Sequence, residues 1–149
     1  MNRRIAHNFT WGPIFIIGII ANISGTILFM HKEPWLLNQI PNEVLLQTSF
    51  SILFSEKINI GLPLFLSTIY RFFGLWLLTV GSMIICYVYV TRLGTKIARN
   101  SIFAILLVNL IAIYYLVFSY LPSFTLLPIL HFLAFCLLLS VFCSKYLPD

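Results

Sequence analysis

The chain has 149 residues, of which 60% are hydrophobic and 9% are charged, and its mean hydropathy is +1.00. Soluble domains carry about 25% charged residues, so this composition excludes an ordinary soluble domain and predicts an all-α integral membrane protein. The net charge of +5 comes from basic residues at the ends of apolar segments, where anionic lipid headgroups attract them, and it does not indicate nucleic-acid binding.

Four apolar segments are each long enough to cross a hydrocarbon core about 30 Å thick. They predict a four-transmembrane-helix bundle, a single domain over residues 1–149, with spans at 11–30, 64–90, 101–120 and 124–142. The basic start and apolar run of the N-terminus are also typical of a signal peptide. However, the run extends to Met30 and no small-x-small cleavage pattern precedes Ala21, so we expect a retained first span.

The first span carries a stripe of small and weakly polar residues. Gly18, Asn22, Gly25 and Thr26 fall close together at helical spacing. Such stripes let two helix backbones approach each other in a membrane and form hydrogen bonds. The stripe therefore predicts a helix–helix contact, and the alternative is that Asn22 touches a polar group of a ligand.

The segment 31–63 is the longest piece outside the spans and holds three of the four acidic residues, Glu33, Glu43 and Glu56. Trp35 is typical of an interfacial anchor. Residues 43–54 are apolar for too short a distance to cross a membrane. They predict one short amphipathic helix on the outer face, starting at Pro41 or Asn42 with Glu43 in its first turn.

The second span contains one full positive charge, Arg71, inside its outer third. A charge in a spanning helix is costly and indicates a functional site by default. Arg71 has two interpretations. Its long side chain reaches out to water and lipid phosphate, or it pairs with Glu43, with Glu56 or with an anionic or oxygen-rich ligand group.

Two further features of the second span predict packing. Gly74 and Gly81 lie seven residues apart and offer a flat face to a neighbouring helix. Trp76 lies deeper than the usual aromatic belt, so we expect it to pack inside the bundle or to line a cavity.

Basic residues predict the orientation. With four spans, six of them share a side with both termini: Arg3, Arg4, Arg92, Lys96, Arg99 and Lys145. The other side has Lys32 and Lys57, which three acids offset. The positive-inside rule therefore places both termini in the cytoplasm and the segment 31–63 in the periplasm or lumen. The residue usage favours a bacterial inner membrane.

The last two spans each carry one polar residue of note. Asn109 shares a small-residue face with Ala104, Val108 and Ala112, and a tight turn at 121–123 leads into the fourth span. His131 lies near the outer end of that span, at a depth comparable with Arg71. A lone His there is more often a hydrogen-bonded packing residue than a metal ligand, so we predict no metal and no cofactor.

Known catalytic patterns are missing from the sequence. No acid lies in any span, no CxxC pair occurs, and no glycine-rich phosphate loop, HExxH or GxSxG motif is present. We therefore assign no catalytic residue. An enzyme would have to use Arg71, His131 and the loop acids around an outward-facing cavity.

The stretch Arg71–Trp76 (RFFGLW) resembles the Arg-x-Phe-Gly-x-Trp stretch of the family of small endoplasmic-reticulum scaffold proteins of ergosterol biosynthesis. Arg71, Phe73, Gly74 and Trp76 carry the match, and in that family too the stretch opens the second of four spans. The layout is also similar to that of small bacterial four-helix proteins of the DoxX-like type. The first resemblance implies tethering of membrane enzymes of lipid metabolism rather than catalysis.

Taken together, these features predict a non-catalytic membrane adaptor or accessory subunit linked to lipid metabolism. One alternative is a module that binds or transports a lipid-like molecule (isoprenoid, quinone or sterol), and another is an enzyme acting on such a lipid. The expected partners are the bilayer and either another membrane protein or a second copy of the chain. The candidate ligand or partner site comprises Arg71, Trp76, His131, Glu43, Glu56, Asn22 and Asn109.

Overall fold

The computed structural model describes residues 2–121 and 127–147. Within these ranges the chain forms six α-helices: α1 (Arg3–Met30), α2 (Gln39–Leu46), α3 (Phe50–Ser55), α4 (Leu62–Thr91), α5 (Lys96–Tyr120) and α6 (Leu127–Ser144). Short 3-10 helices occupy Pro34–Asn38 and Lys57–Asn59. Four helices, α1, α4, α5 and α6, are long and apolar enough to cross a membrane, which confirms the predicted number of long apolar helices.

Two of the long helices begin before the apolar segments that predicted them. The Asn2 side chain accepts a hydrogen bond from the Arg4 backbone N–H (3.1 Å) and starts α1. The Thr95 hydroxyl accepts from the Ala98 N–H (3.2 Å) and starts α5. Such caps satisfy the free N–H groups of the first turn, so the polar first turns are helical too. The predicted turn at 121–123 and the start of the fourth span at 124 lie largely outside the described residues.

The first helix is the centre of the bundle. It packs most extensively against α4 and next against α6, whereas α5 packs on α6 to a much smaller extent. We call the end where α1 begins and α6 ends the terminal end, and the end where α1 stops and α4 begins the loop end. The main buried cluster lies in the half toward the terminal end: Ile14, Ile17, Ile84, Val88, Leu93, Ile102, Phe103, Cys136 and Leu137.

Glycines hold α1 and α4 together in an antiparallel pair. A Cβ atom at Gly81 would lie 2.6 Å from the Asn22 backbone nitrogen and 2.8 Å from the Gly18 carbonyl oxygen. A Cβ atom at Gly74 would lie 2.9 Å from the Gly25 carbonyl oxygen. The two backbones are thus in direct contact at two levels seven residues apart. This confirms the predicted helix–helix contact of both glycine faces.

Arginine side chains support the turn between α4 and α5 at the terminal end. Arg99 is 4% exposed, and its guanidinium donates to the carbonyl oxygens of Leu93 (3.4 Å) and Gly94 (3.3 Å). The Arg92 guanidinium lies 5.3 Å from the centroid of the Trp11 ring, a cation–π contact that joins the turn to α1.

The predicted single helix over residues 43–54 is wrong. The segment forms α2 and α3, separated at Gln47, whose φ of 53° is in the left-handed region. Pro41 lies in the first turn of α2, where its missing N–H breaks no helical hydrogen bond. Ser49 then caps α3 by accepting from the Ile52 N–H (3.4 Å). The hydropathy pattern missed this break because the left-handed backbone at Gln47 and the cap at Ser49 depend on local conformation, which hydropathy does not show.

Aromatic rings pack this segment together. Trp35 is 6% exposed and meets Phe54 edge-to-face at 5.9 Å, and Phe50 stacks on Phe54 at 5.3 Å. Trp35, which the sequence predicted as an interfacial anchor, is therefore a packing residue of the segment. Its backbone carbonyl accepts from the Asn42 amide (3.4 Å), and that amide also donates to the Tyr70 hydroxyl of α4 (2.6 Å).

Candidate functional site

Arg71 lies on an exposed side of α4. Within residues 2–121 and 127–147, its guanidinium makes no hydrogen bond and no ion pair. The predicted pairing with Glu43 or Glu56 is therefore not formed. The interpretation in which Arg71 reaches water and lipid phosphate stays a prediction, and it agrees with the exposed position of the side chain.

Glu43 is occupied by contacts within its own segment. Its carboxylate accepts hydrogen bonds from the Phe50 backbone N–H (3.0 Å) and from the Gln39 side-chain amide (3.0 Å). The bond from Phe50, and to a smaller extent the bond from Gln39, lowers the pKa of Glu43 below its ordinary value of 4.5, because both bonds stabilise the charged form. Glu43 thus closes the turn between α2 and α3. Glu56 is exposed between α3 and the next 3-10 helix.

The prediction that Trp76 packs inside the bundle or lines a cavity is wrong. Its side chain is 58% exposed, and its ring meets the exposed ring of Phe72 edge-to-face at 6.2 Å. The reason is that the face of α4 buried against α1 is the one that contains Gly74 and Gly81. Trp76 follows Gly74 by two residues, about 200° around the helix, so it points away from α1.

His131 forms a hydrogen-bonded packing contact on α6. Its Nδ1 lies 2.8 Å from the Leu127 carbonyl oxygen, and its ring meets the Tyr114 ring of α5 at 5.7 Å. In the described part of the chain it makes no contact with Arg71, because α4 and α6 both pack on α1 and touch each other little. The structure therefore does not bring Arg71, His131 and the loop acids into one cleft.

Asn22 has the contacts of a packing residue. Its amide nitrogen donates to the Ser82 hydroxyl (2.7 Å) and lies 3.3 Å from the Leu78 carbonyl oxygen, both on α4. The alternative, a contact with a ligand, has less room because these bonds occupy the amide N–H groups. Polar bonds of this kind add to the close glycine contact between the two helices.

Asn109 lies on a face of α5 that no other described residue covers. Its amide nitrogen donates to the Ile105 carbonyl oxygen one turn earlier (2.8 Å). The predicted small-residue face is exposed along its length, at Ala104, Val108, Asn109 and Ala112. In the most apolar 18-residue window of α5, 11% of the residues are buried, compared with 28% in α6. The sequence shows this face but does not show that it is left without a neighbour.

An open groove lies between α1 and α6 near the terminal end, with a volume of about 310 Å³. Its walls include Asn8, Gly12 and Ile16 from α1 and Phe132, Phe135 and Leu139 from α6. Except for the Asn8 amide, these walls are apolar. Sequence analysis missed the groove because no pattern in the sequence indicated that these two helices pack together. The small Gly12 between larger residues is the one signal that marks it.

Comparison with family models, curated proteins and solved structures finds no match for this chain. The resemblance of Arg71–Trp76 to the ergosterol scaffold family, and of the layout to DoxX-like proteins, therefore stays a hypothesis. Functional inference rests on the geometry of the molecule itself.

That geometry does not bring the predicted site residues together, and it leaves three surfaces open among the described residues. The first is the exposed side of α4 with Arg71 and Trp76, the second is the uncovered face of α5 with Asn109, and the third is the groove between α1 and α6. Among the described residues no group of three or more His, Cys, Asp or Glu side chains is arranged to hold a metal ion.

Proposed function

We propose that the chain is a non-catalytic accessory subunit of a membrane-protein assembly and that α5 contacts the partner. The observation that carries this proposal is the uncovered face of α5. Buried positions of α5, such as Ile102, Phe103 and Val117, lie on the side opposite Ala104, Val108 and Ala112, and the exposed Asn109 lies at the edge of that small-residue face. The small residues thus point away from the rest of the bundle.

Asn109 gives this face its chemistry. It lies near the middle of α5, 13 residues after Lys96, at a depth of hydrocarbon if α5 spans a bilayer. The bond to Ile105 uses one of the two amide N–H groups, which leaves an N–H and the carbonyl oxygen without protein partners among the described residues. Polar groups without partners are costly in hydrocarbon. A partner helix with an amide or hydroxyl group at this depth would satisfy them, and the small residues around Asn109 would let it approach.

The placement in the cell follows from the charges. We infer that the chain is a multi-pass protein of a bacterial inner membrane, with both termini in the cytoplasm and α2 and α3 on the outer face. The basic residues near the terminal end support this orientation. Reporter fusions at the C-terminus and at Gln47 test it, since the two reporters should report opposite sides. If the partner is an enzyme of lipid metabolism, the role matches the one that the Arg71–Trp76 resemblance implies.

Blue-native electrophoresis of mild-detergent extracts tests the subunit role. We expect the wild-type protein to migrate in a complex larger than its monomer. The change Ala112→Phe should release the monomer, because it places a large ring on the small-residue face. The change Leu107→Phe is the matched control, since Leu107 is 48% exposed and lies about 140° around α5 from Ala112.

Three outcomes decide between the proposals. A monomer under all extraction conditions contradicts the subunit role. Release by Leu107→Phe as readily as by Ala112→Phe contradicts the assignment of the face. Co-purification of two differently tagged copies, with no other protein in the complex, makes α5 a self-association surface and overturns the accessory role.

A further inference from the structure

The groove between α1 and α6 has a polar end that none of the predicted sites includes. Arg4, Asn8, Gly12 and Ile16 follow one another at four-residue spacing, so they lie along one stripe of α1. Three of them, from Asn8 to Ile16, line the groove over about 12 Å of the helix. Arg4 therefore lies one turn beyond the end of the groove, on the same side of α1.

The contact between α1 and α6 sets the register at this end. The Ser140 hydroxyl donates a hydrogen bond to the Thr10 carbonyl oxygen, and the two helices run antiparallel. Six residues back from Thr10 to Arg4 on α1 correspond to six residues forward from Ser140, which reach the turn just after α6 that contains Lys145. Arg4 and Lys145 thus lie near the same level, about one turn beyond Asn8.

Two of the candidate ligands of an anion at this end, Arg4 and Asn8, lack partners among the described residues. Within the described ranges neither the Arg4 guanidinium nor the Asn8 amide makes a hydrogen bond or an ion pair. The first acidic residue in the sequence is Glu33, and the nearest one to Lys145 is the final residue, Asp149. The end of the groove is therefore rich in positive charge and in free hydrogen-bond donors.

We propose that this groove binds one acyl chain of an anionic phospholipid, whose phosphate is held by Arg4, Asn8 and Lys145. Apolar walls take the chain, and basic residues at the headgroup level attract a negative lipid. The same charges oppose the alternative occupant, a helix from a second copy, because the copies would bring their Arg4 and Lys145 residues together. The groove is lined by residues of α1 and α6 and by none of the α5 partner positions. The proposal therefore does not depend on what α5 contacts.

Native mass spectrometry of the detergent-purified protein tests the site, with phosphatidylglycerol and phosphatidylcholine as the two probes. Gly12→Leu should abolish phosphatidylglycerol binding, because a Cβ atom at Gly12 meets no atom within 4 Å and the leucine would fill the groove. Gly61→Leu is the matched control, since a Cβ atom there also meets nothing within 4 Å and Gly61 lies at the loop end.

A second pair of variants tests the headgroup. Arg4→Gln should weaken phosphatidylglycerol binding about fivefold, the effect of one basic residue near an anionic lipid. Arg3→Gln, on a neighbouring stripe of α1, should weaken it less. Phosphatidylcholine binding to the wild type should be weaker than phosphatidylglycerol binding, and Arg4→Gln should leave it unchanged.

Several results would overturn the proposal. If the wild type binds the two lipids with equal affinity, the charges do not contribute to binding. If Gly12→Leu binds phosphatidylglycerol as tightly as the wild type does, the groove is not the site. If no lipid binds and Gly12→Leu instead dissociates a dimer, the occupant is a second copy. Thermal unfolding checks that each variant is folded; should Gly12→Leu fail to fold, the comparison of the exposed Arg4→Gln with Arg3→Gln decides.

Discussion

Substituting Gly81 by alanine tests the close backbone contact between α1 and α4. The added Cβ atom would lie 2.6 Å from the Asn22 backbone nitrogen, about 0.8 Å short of the 3.4 Å at which ordinary van der Waals contact begins. The obstacle is backbone on both sides, so no side chain can rotate to make room. The two helices must separate locally, and a shift of that size would lengthen the Asn22–Ser82 hydrogen bond from 2.7 Å to about 3.5 Å.

The magnitude follows from a comparison with Gly12→Ala. Both changes replace a helical glycine and gain about 0.5–1 kcal/mol of helix stability. At Gly12 a Cβ atom meets nothing within 4 Å, so that gain is the whole effect. At Gly81 forced overpacking costs about 1–3 kcal/mol. The helix term cancels in the difference, and we expect Gly81→Ala to be less stable than Gly12→Ala by about 1–3 kcal/mol.

The measurement is the free energy of unfolding in mixed micelles, from titration with a denaturing detergent monitored by tryptophan fluorescence and helical circular dichroism. Equal stabilities of the two variants would refute the close approach of α1 and α4. A further check uses the pair Asn22→Cys and Ser82→Cys in a chain with its three native cysteines replaced. Their disulfide should form readily in the wild-type background and more slowly with Gly81→Ala.

Three other predictions concern polar residues. Asn22→Ala should lower the free energy of unfolding by about 0.6 kcal/mol and at most about 1.7 kcal/mol, the range for hydrogen bonds between membrane helices. A double-mutant cycle with Ser82→Ala should give a coupling energy of that size. If the two changes are additive, the bond contributes nothing. Because the pKa of Glu43 is lowered in the folded state, its stabilising effect is present above pH 4.5 and is lost as pH falls through that lowered pKa. Hydrogen exchange at the Phe50 amide should therefore accelerate in acid, beyond the intrinsic rate, and the effect should vanish in Glu43→Ala. Arg71→Gln should change stability by less than about 0.5 kcal/mol, as expected for an exposed side chain without a protein partner, and a loss above about 1 kcal/mol would mean that the guanidinium is paired.

The uncovered α5 face shows how far a pattern of small residues can be interpreted. In α1 and α4 such patterns predict a contact, and the structure forms it between Gly18 and Gly81 and between Gly25 and Gly74. In α5 the same kind of pattern, around Asn109, lies exposed. The sequence marks both surfaces as suited to close contact. It does not say whether the neighbour belongs to the same chain.

The candidate site was predicted less well than the fold, for a related reason. The positions of Arg71 and Trp76 on the sequence give their depth, but exposure depends on which face of α4 packs against α1. The glycines occupy that face, so Trp76 is turned away. The hydrogen bond by which Glu43 closes the turn between α2 and α3 depends on the break at Gln47, which no hydropathy pattern shows.

The sequence by itself determined the all-helical class of the protein and the number of its long apolar helices, because the hydropathy of a segment is a sum over its own residues. It also marked the glycine faces of α1 and α4 as surfaces for close helix contact, because backbone approach requires glycine and glycines are visible in a sequence; the structure pairs the two faces with each other. Only the tertiary structure decided that α6 packs on α1 and leaves a groove beside Gly12, and that α5 is nearly uncovered. Those outcomes depend on the fit between large apolar side chains on two helices, and many pairings of such surfaces are almost equal in energy.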